Sequence, residues 1–447
     1  MSNFLQQVKT YQPSALAYME NLNCFVSTCN TKFKDFQTVT TNLGSSVNLE
    51  LIYRFSTASG LVAVDQAITQ RVHTLTVDQS ANTSMVVTNP EQIFNLDSKG
   101  YMEKIGRAAI KSLGASIEKN VALNANSSVP VMIPDPLNPS QSIPTGALHT
   151  ESGPYRFYGD GVTAIDSYQK LAQGIENFME LGNPGDDMKF YMPNVVVPSV
   201  IGSGLGQFVP QRNEKAAQSW EIGNFGTPEV TYYKSNALPI HYAGAVGNGA
   251  GANQYLTIVS TNDPTGKNVT QITCSSPLLS TSKAVRSGDL GFIAATSGYD
   301  TPFAVSHMGN IVTSQPVQMR VIADADTSGS GEIVISIVAD DESKGICWAG
   351  NANQNCNLPL VAGMRIKMMP THRCGLLVSG GAFYLAMPKL PSQDPYASHA
   401  EYDERTGVSL RLAYGSLLGL NVQRLIHDCI WSSTLIPSYS MRVLFPV

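Results

Sequence analysis

The chain has 447 residues, of which 43% are hydrophobic and 14% are charged, and its formal net charge is −5 at pH 7. This length predicts two or three compact units, and the acidic balance argues against a freestanding nucleic-acid-binding protein, which usually carries a basic excess. The charged fraction is well below the roughly 25% usual for soluble proteins, which favours a protein that packs much of its surface against other subunits.

The seven cysteines are odd in number and no pair has a zinc-type spacing, so reduced thiols in a protein made in a cytoplasm are predicted. The opening residues MSNFLQQVKT lack the basic start and the apolar run of a secretory signal. No apolar run approaches the length of a membrane span. We therefore expect a chain that is neither secreted nor held in a membrane.

The first 90 residues predict an arm followed by a hairpin. Residues 1–48 are polar and irregular, and we expect an extended arm that becomes ordered against neighbours. The runs LELIYRF (49–55) and VHTLTVDQ (72–79), with SMVVT (84–88) after them, have the composition of strands. Residues 49–90 are therefore predicted to form a long β-hairpin.

A long amphipathic helix is predicted next. Asp97 or Ser98 can cap its start, and apolar residues then recur at steps of three or four. These residues are Met102, Ile105, Ala109, Leu113, Ile117 and Val121. A helix of about 26 residues is close to 40 Å long, with Gly106 and Gly114 off the apolar stripe. A helix with one apolar face must lie on another layer, so a structural role is predicted.

Residues 126–162 form a Pro/Gly-rich region, and a second helix follows it. The apolar face of this helix is formed by Tyr168, Leu171, Ile175, Phe178 and Leu181. The turn GNPGDD (182–187) and the strand MKFYM (188–192) come next, and Pro193 is placed in the first turn of a short helix. This half of the chain predicts an α+β fold.

The composition changes at about residue 245. Residues 246–378 are rich in Gly, Ser, Thr and Val, and alternating runs such as VQMRVIA (317–323) and EIVISIVA (332–339) predict a separate β-barrel or sandwich. Apolar strand-like segments return within residues 379–447. The β-rich region is therefore predicted to be inserted into a domain that resumes after it.

The segment DADTSGSGE (324–332) opens like a calcium-binding loop, with oxygen ligands at alternate positions. Its twelfth position is Ile335, where a bidentate Glu is needed, and strand-like runs flank it instead of helices. A turn that joins two strands is therefore favoured.

Two glycine-rich stretches, GSGLGQ from Gly202 and GAVGNGAGAN from Gly244, do not lie between a strand and a helix as a phosphate-binding loop does. Gly266 and Lys267 resemble the end of a Walker motif. Thr261 stands in place of its first Gly, however, and Asn268 in place of its Ser or Thr, so this motif is rejected.

His372 with Cys374, and His427 with Cys429, are pairs without a second pair at metal-binding spacing. The acidic stretch that contains Glu401, Asp403 and Glu404 is explained by solvation. No hydrolase, zinc-protease or redox motif occurs. We therefore expect no catalytic residue, no cofactor and no metal site, and a protein that is not an enzyme.

Three segments carry a resemblance to a known family. They are LTVDQSANTSMVVTNPEQIFNLDSKGYMEKIGRAAIKSLGASIEKNVA (75–122), GNFGTPEVTYYKSNALPIHYAG (223–244), and AFYLAMPKLP with EYDERTGVSLRL (382–412). In this order, they resemble the major capsid proteins of tailed bacteriophages, which share the fold named after phage Hong Kong ninety-seven. The likeness is greatest to the coat proteins of short-tailed Salmonella phages, which contain an extra inserted domain.

The resemblance implies a division of the chain. Residues 1–48 would be an N-terminal arm, 49–90 an extended loop over an adjacent subunit, and 91–145 a peripheral domain with a spine helix. Residues 146–245 would form an axial domain with connecting segments, 246–378 the inserted β domain, and 379–447 the return to the core. The inserted domain is expected either to stabilise the subunit or to bridge neighbouring subunits.

The resemblance also implies partners. Copies of the chain would form the hexamers and pentamers of an icosahedral shell, first around a scaffolding protein and with a portal protein at one vertex. The shell would enclose double-stranded DNA without sequence-specific contacts, touch no membrane, and assemble in the bacterial cytoplasm.

Three alternatives remain open from the sequence. One is the shell of a bacterial nanocompartment on the same fold, which encloses an enzyme instead of DNA. Another is a secreted β-rich adhesin or carbohydrate-binding module with bound calcium. The third is a soluble enzyme without a standard motif.

Overall fold

A computed structural model describes the chain over the following residues: 24–30, 46–51, 65, 72–88, 98–127, 133–134, 142–143, 153–182, 187–202, 221–223, 230–306, 311–340, 345–349, 353–391, 397–403, 408–417 and 422–447. The chain divides into two compact units. The first comprises residues 1–49, 74–122 and 384–434, and the second comprises 50–73, 123–383 and 435–447.

Strands dominate the described residues, and helices are few. The helices are α1 (Cys24–Thr28), α2 (Ser98–Asn126), α3 (Tyr168–Glu180) and α4 (Val197–Gly202). The strands up to residue 241 are β1 (Ser46–Glu50), β2 (Val72–Thr76), β3 (Gln79–Thr88), β4 (Ile133–Pro134), β5 (Ser142–Ile143), β6 (Phe157–Tyr158), β7 (Met188–Pro193), β8 (Glu221–Gly223), β9 (Val230–Ser235) and β10 (Ile240–His241).

Fourteen further strands follow. Eight lie in the β-rich region: β11 (Tyr255–Thr261), β12 (Gln271–Ser275), β13 (Leu290–Ala294), β14 (Phe303–Val305), β15 (Val312–Pro316), β16 (Gln318–Val321), β17 (Glu332–Val338) and β18 (Arg365–Met368). The last six are β19 (His372–Val378), β20 (Phe383–Ala386), β21 (Ala397–Asp403), β22 (Val408–Leu417), β23 (Val422–Leu435) and β24 (Ser440–Phe445).

The first unit contains a five-stranded sheet in the order β20-β23-β22-β21, with β3 also paired to β23. The hairpin prediction for residues 49–90 is correct in part, because β1 pairs with β2. The run SMVVT does not belong to that hairpin. It lies in β3, which pairs antiparallel with β23 from Gln79↔Trp431 to Thr88↔Val422.

The apolar stripe of α2 is buried as predicted at Ala109, Leu113, Ile117 and Val121, while the side chains of Met102 and Ile105 lie outside the described residues. The helix has 29 residues, which corresponds to about 43 Å. Gly106 and Gly114, placed off the stripe by the sequence, are buried too. The buried face is therefore wider than the stripe.

The arm is mostly outside the described residues, but residues 24–28 form helix α1 instead of an extended segment. Phe25 is fully buried, and its amide donates to both carboxylate oxygens of Glu118 on α2, at 2.9 and 3.1 Å. The first amides of a helix have no partner within it, and a carboxylate satisfies them favourably. At residues 24–28 a short helix therefore replaces the expected extended conformation, and the arm as a whole stays a prediction.

The second unit contains a mixed seven-stranded sheet, in the order β6-β24-β19-β7-β9-β8 with β10 also paired to β19. Helix α3 packs its predicted face on this sheet, with Leu171, Ile175 and Phe178 buried against strand residues such as Phe190. Pro193 is the last residue of β7 and does not lie in the short helix. Proline at a strand end avoids a missing ladder hydrogen bond.

A closed barrel lies within the predicted β-rich region, with the strand order β11-β12-β17-β16-β13-β18. Its neighbouring strands pair antiparallel throughout. Strand β17 alternates as expected: Ile333, Ile335 and Ile337 are buried in the barrel core, whereas Val334 is 49% exposed. The inward residues of six strands therefore fill the barrel with aliphatic side chains.

We expect Ile335→Ala to lower the free energy of unfolding by roughly 2–5 kcal/mol, because it leaves a cavity in a close-packed core. Val334→Ala, one residue earlier on the outer face, is the matched control and should cost less than about 1 kcal/mol. Chemical denaturation of the two variants measures both. Equal destabilisation by the two substitutions would contradict the assignment of the inner and outer faces of β17.

Candidate functional site at the neck of the barrel

The chain leaves the sheet for the barrel at β10 and returns at β19. These strands pair antiparallel, with His241 opposite His372. We call residues 240–244, 286–290 and 368–373 the neck. Partners in an antiparallel pair have Cα atoms about 5 Å apart, so the two crossings run side by side.

Asp289 is the central group of the neck. Its Oδ1 lies 2.7 Å from Nε2 of His241, and its Oδ2 accepts the amides of Gly244 at 3.1 Å and Arg286 at 2.8 Å. Both side chains of the His241–Asp289 pair are fully buried. One carboxyl group therefore connects the outgoing segment, at His241 and Gly244, with the segment that enters β13.

Burial disfavours charge on both partners. It raises the pKa of Asp289 to about 7, although the amides of Arg286 and Gly244 and the guanidinium charges of Arg286 and Arg442 act in the opposite direction. Burial also lowers the pKa of His241 well below its ordinary value, and the positive charge of Arg442 adds to this effect. Burial therefore works against the charged form of both members of the His241–Asp289 pair.

Arg442, on the last strand β24, anchors the other side of the neck. It is fully buried and donates from Nη1 to the carbonyl of Gly288 at 3.1 Å, and from Nη2 to the carbonyl of Asn126. Gly288 has φ +86, and a Cβ on it would lie 2.1 Å from the carbonyl oxygen of Ser127. Only glycine satisfies both the backbone conformation and this close approach.

Two further polar contacts join the predicted β-rich region to the sheet and to α3. Gln318 of β16 accepts from the amide of Phe157 at 2.8 Å and donates to its carbonyl at 2.9 Å, as a neighbouring strand would. The carboxylate of Glu180 accepts from the amide of Ser314 at 2.8 Å and from Nε2 of Gln315 at 3.0 Å. These bonds hold the pKa of Glu180 below its ordinary value, despite the opposing effect of partial burial.

We expect Gln318→Ala to lower the free energy of unfolding by about 1–3 kcal/mol, because it removes both partners of the Phe157 backbone groups. Gln271→Ala, on the exposed side of β12, is the matched control and should change stability by less than about 0.5 kcal/mol. Thermal unfolding of the full chain compares them. If the two variants behave alike, Gln318 does not contribute to the connection.

The residues of the calcium-like loop are used by the barrel itself. Oδ1 of Asp324 accepts the amide of Ser287 at 2.9 Å, and Oδ1 of Asp326 accepts that of Lys283 at 2.6 Å. The loop joins β16 to β17, which pair antiparallel, so the predicted turn between two strands is confirmed. Ile335, at the position that calcium would require to be Glu, is fully buried.

The other sequence motifs also occupy structural positions. In the Walker-like segment, Oδ2 of Asp263 accepts the amides of Lys267 and Asn268, so a carboxylate fills the loop. The second glycine-rich stretch leads through a 3-10 turn, Gly251–Gln254, into β11. The first one lies outside the described residues from residue 203 onward, as does Glu404, while Glu401 and Asp403 belong to β21.

The structure separates the two His/Cys pairs. His372 joins the neck, where its Nδ1 donates to the carbonyl of Pro370 at 2.7 Å and its ring lies 5.3 Å from that of His241. His427 and Cys429 lie on β23 in the first unit, and both are buried. The sequence offered no signal for the His241–Asp289 contact, because these residues are 48 positions apart.

Burial lowers the pKa of His427 to about 4, although the charge of Asp428 acts in the opposite direction. In the unfolded chain, a histidine binds a proton below about pH 6.5. In the folded chain, His427 stays neutral until about pH 4. Acid therefore favours the unfolded state, and stability falls as the pH is lowered from about 6.5 toward about 4.

We expect the loss of stability between about pH 7.5 and about pH 4.5 to be smaller by roughly 2 kcal/mol in His427→Gln than in the parent chain. The comparison uses denaturant unfolding at both pH values, so any constant cost of the substitution cancels. An identical loss in both proteins would show that His427 does not remain neutral in the fold.

Within the described part of the chain, no three His, Cys, Asp or Glu side chains lie close enough together to hold a metal ion. All seven cysteines are free thiols. Among the described helices, none is both long and apolar enough to cross a membrane.

The chain matches no family model and no curated protein. Solved structures that resemble it include phage capsids. The capsid of Ralstonia phage GP4 has a TM-score of 0.44 at 8% identity, over 95% of this chain and 88% of that chain. Mycobacterium phage Che8 has a TM-score of 0.42 at 9% identity, over 94% of this chain and 90% of that chain. The cyanophage Pam1 capsid has a TM-score of 0.40 at 9% identity, over 92% of this chain and 87% of that chain. At such identities, no side-chain role can be transferred.

Proposed function

We propose that this chain is the major capsid protein of a tailed bacteriophage and that its copies assemble into the icosahedral shell around the double-stranded DNA genome. The observation that carries the proposal is the closed barrel, entered and left through the paired strands β10 and β19. The coat-protein resemblance of the sequence requires an extra domain at this place, between the segments 223–244 and 382–412.

The composition supports the same proposal. Only 14% of the residues are charged, and the outer face of the barrel shows why. The outward positions of β12 are Gln271, Thr273 and Ser275, and those of β17 include Val334 and Ser336. Charged residues are depleted at the centres of protein interfaces, so a surface with few charges is compatible with contacts between subunits.

For the inserted domain, we propose stabilisation of its own subunit as the main role. The polar contacts of Asp289, Arg442, Gln318 and Glu180 all join it to the sheet or to α3 within the second unit. A domain attached only for contact with neighbours would need the two chain crossings and no further buried bonds. Its use as a bridge between neighbouring subunits is the less supported alternative.

The remaining assignments follow from the resemblance. We propose residues 1–48 as the arm, 49–90 as the extended loop, 91–145 as the peripheral domain with α2 as spine helix, 146–245 as the axial domain, and 379–447 as the return to the core. Hexamers and pentamers, a scaffolding protein and a portal protein complete the proposed assembly, which takes place in the bacterial cytoplasm.

We expect the full chain, expressed alone and with its scaffolding protein, to form closed, uniform shells in electron micrographs. Weak contacts suffice because a closed shell repeats each of them by symmetry. Stable, dispersed monomers under both conditions would contradict the proposal and favour a β-rich binding module. Shells that enclose a protein cargo instead of DNA would identify a nanocompartment.

A further inference from the structure

Helix α2 has a second face, which is exposed. Between Gly106 and Asn126 its exposed residues are Arg107, Ala108, Lys111, Ser112, Ala115, Ser116 and Lys119. Three of these are cations, and the other four are small. The acidic residue of this stretch, Glu118, is buried, and its carboxylate accepts the amide of Phe25. We call these seven residues the basic face.

The cations of the basic face are arranged along the helix axis. Lys111 lies one turn, about 6 Å, beyond Arg107, and Lys119 lies about 12 Å beyond Lys111. Double-stranded DNA carries one negative charge for each ~1.7 Å of its axis. The two lysines alone span about 12 Å, which lies beside on the order of seven phosphates. Charges this close act locally, even though the whole chain is net negative, because salt screens charges beyond about 10 Å.

The small residues of the basic face favour a nucleic acid over a protein as the partner of this face. A stable protein interface needs a buried apolar or aromatic centre, and the basic face offers no side chain larger than Ala and Ser besides its cations. Ser112 and Ser116 can donate hydrogen bonds to phosphate oxygens, as Ser does in DNA complexes. The chemistry of the face therefore fits a polyanionic backbone better than an acidic protein.

We propose that the basic face of α2 binds the phosphate backbone of double-stranded DNA enclosed by the shell. This inference rests on the proposed capsid function, because that function supplies the DNA. The contact reads no sequence, since two lysines and two serines on one helix face reach phosphates without entering a groove. It gives the interior of the shell a weak, salt-sensitive hold on the genome.

The test compares Lys111→Gln/Lys119→Gln with Lys234→Gln/Lys267→Gln, a control that removes the same charge from exposed lysines of the second unit. Fluorescence anisotropy measures the binding of a short labelled duplex to the unassembled fraction of the full chain, because a duplex outside a closed shell cannot reach its interior. The measurement is repeated over a series of salt concentrations. The slope of log K against log salt should fall by about 1.8 in the first variant, at ~0.9 for each phosphate that a lysine no longer neutralises. The control and Lys111→Arg/Lys119→Arg should keep the parent slope.

An unchanged slope in the first variant, or no binding by the parent chain at low salt, would overturn the inference. So would preferential binding of polyglutamate over the duplex, which would assign the face to an acidic protein. Electron micrographs of the same preparations separate the two proposals. If parent and variant both form shells but their slopes agree, only the DNA contact fails, whereas a parent chain that forms no shells contradicts the capsid function itself.

Discussion

The carboxyl group of Asp289 holds together the point at which the chain passes from the sheet into the barrel. It receives two backbone amides and contacts the ring of His241, all away from water. An unsatisfied group in this position would cost several kcal/mol. The segment that enters β13 and the segment that leaves the sheet must therefore keep their relative positions. Apolar packing alone specifies position less strictly, because side chains can repack with little loss.

Much of the fold could be predicted from the sequence where the periodicity was local. The alternating runs correctly predicted a β-barrel or sandwich, and residues of the stripes of α2 and α3 are buried as predicted. The buried face of α2 also includes Gly106 and Gly114. In each of these elements, the pattern of one segment determines which of its sides is buried. The prediction does not require knowing which other element covers that side.

The rest depends on contacts between distant residues. SMVVT has the composition of a strand, but nothing in that run selects β23 over the hairpin as its partner. In helix α1, the amide of Phe25 donates to a carboxylate 93 residues away. The neck needs His241, Asp289 and Arg442 together, and none of these belongs to a motif. A single sequence gives no signal for such pairs, because burial and hydrogen-bond partners arise only after the chain has folded.

The side-by-side crossings at His241 and His372 have a practical consequence for protein engineering. The two ends of the inserted segment are partners in one antiparallel pair. The length of chain between them therefore does not affect the geometry of the sheet. A folded domain whose own termini are about 5 Å apart could be grafted at this point without spreading the strands. The graft would have to supply another acceptor for His241 and Gly244 in place of the carboxylate of Asp289, and another for Arg442 in place of the carbonyl of Gly288. With that provision, the neck is a point at which a foreign domain could be attached to the sheet.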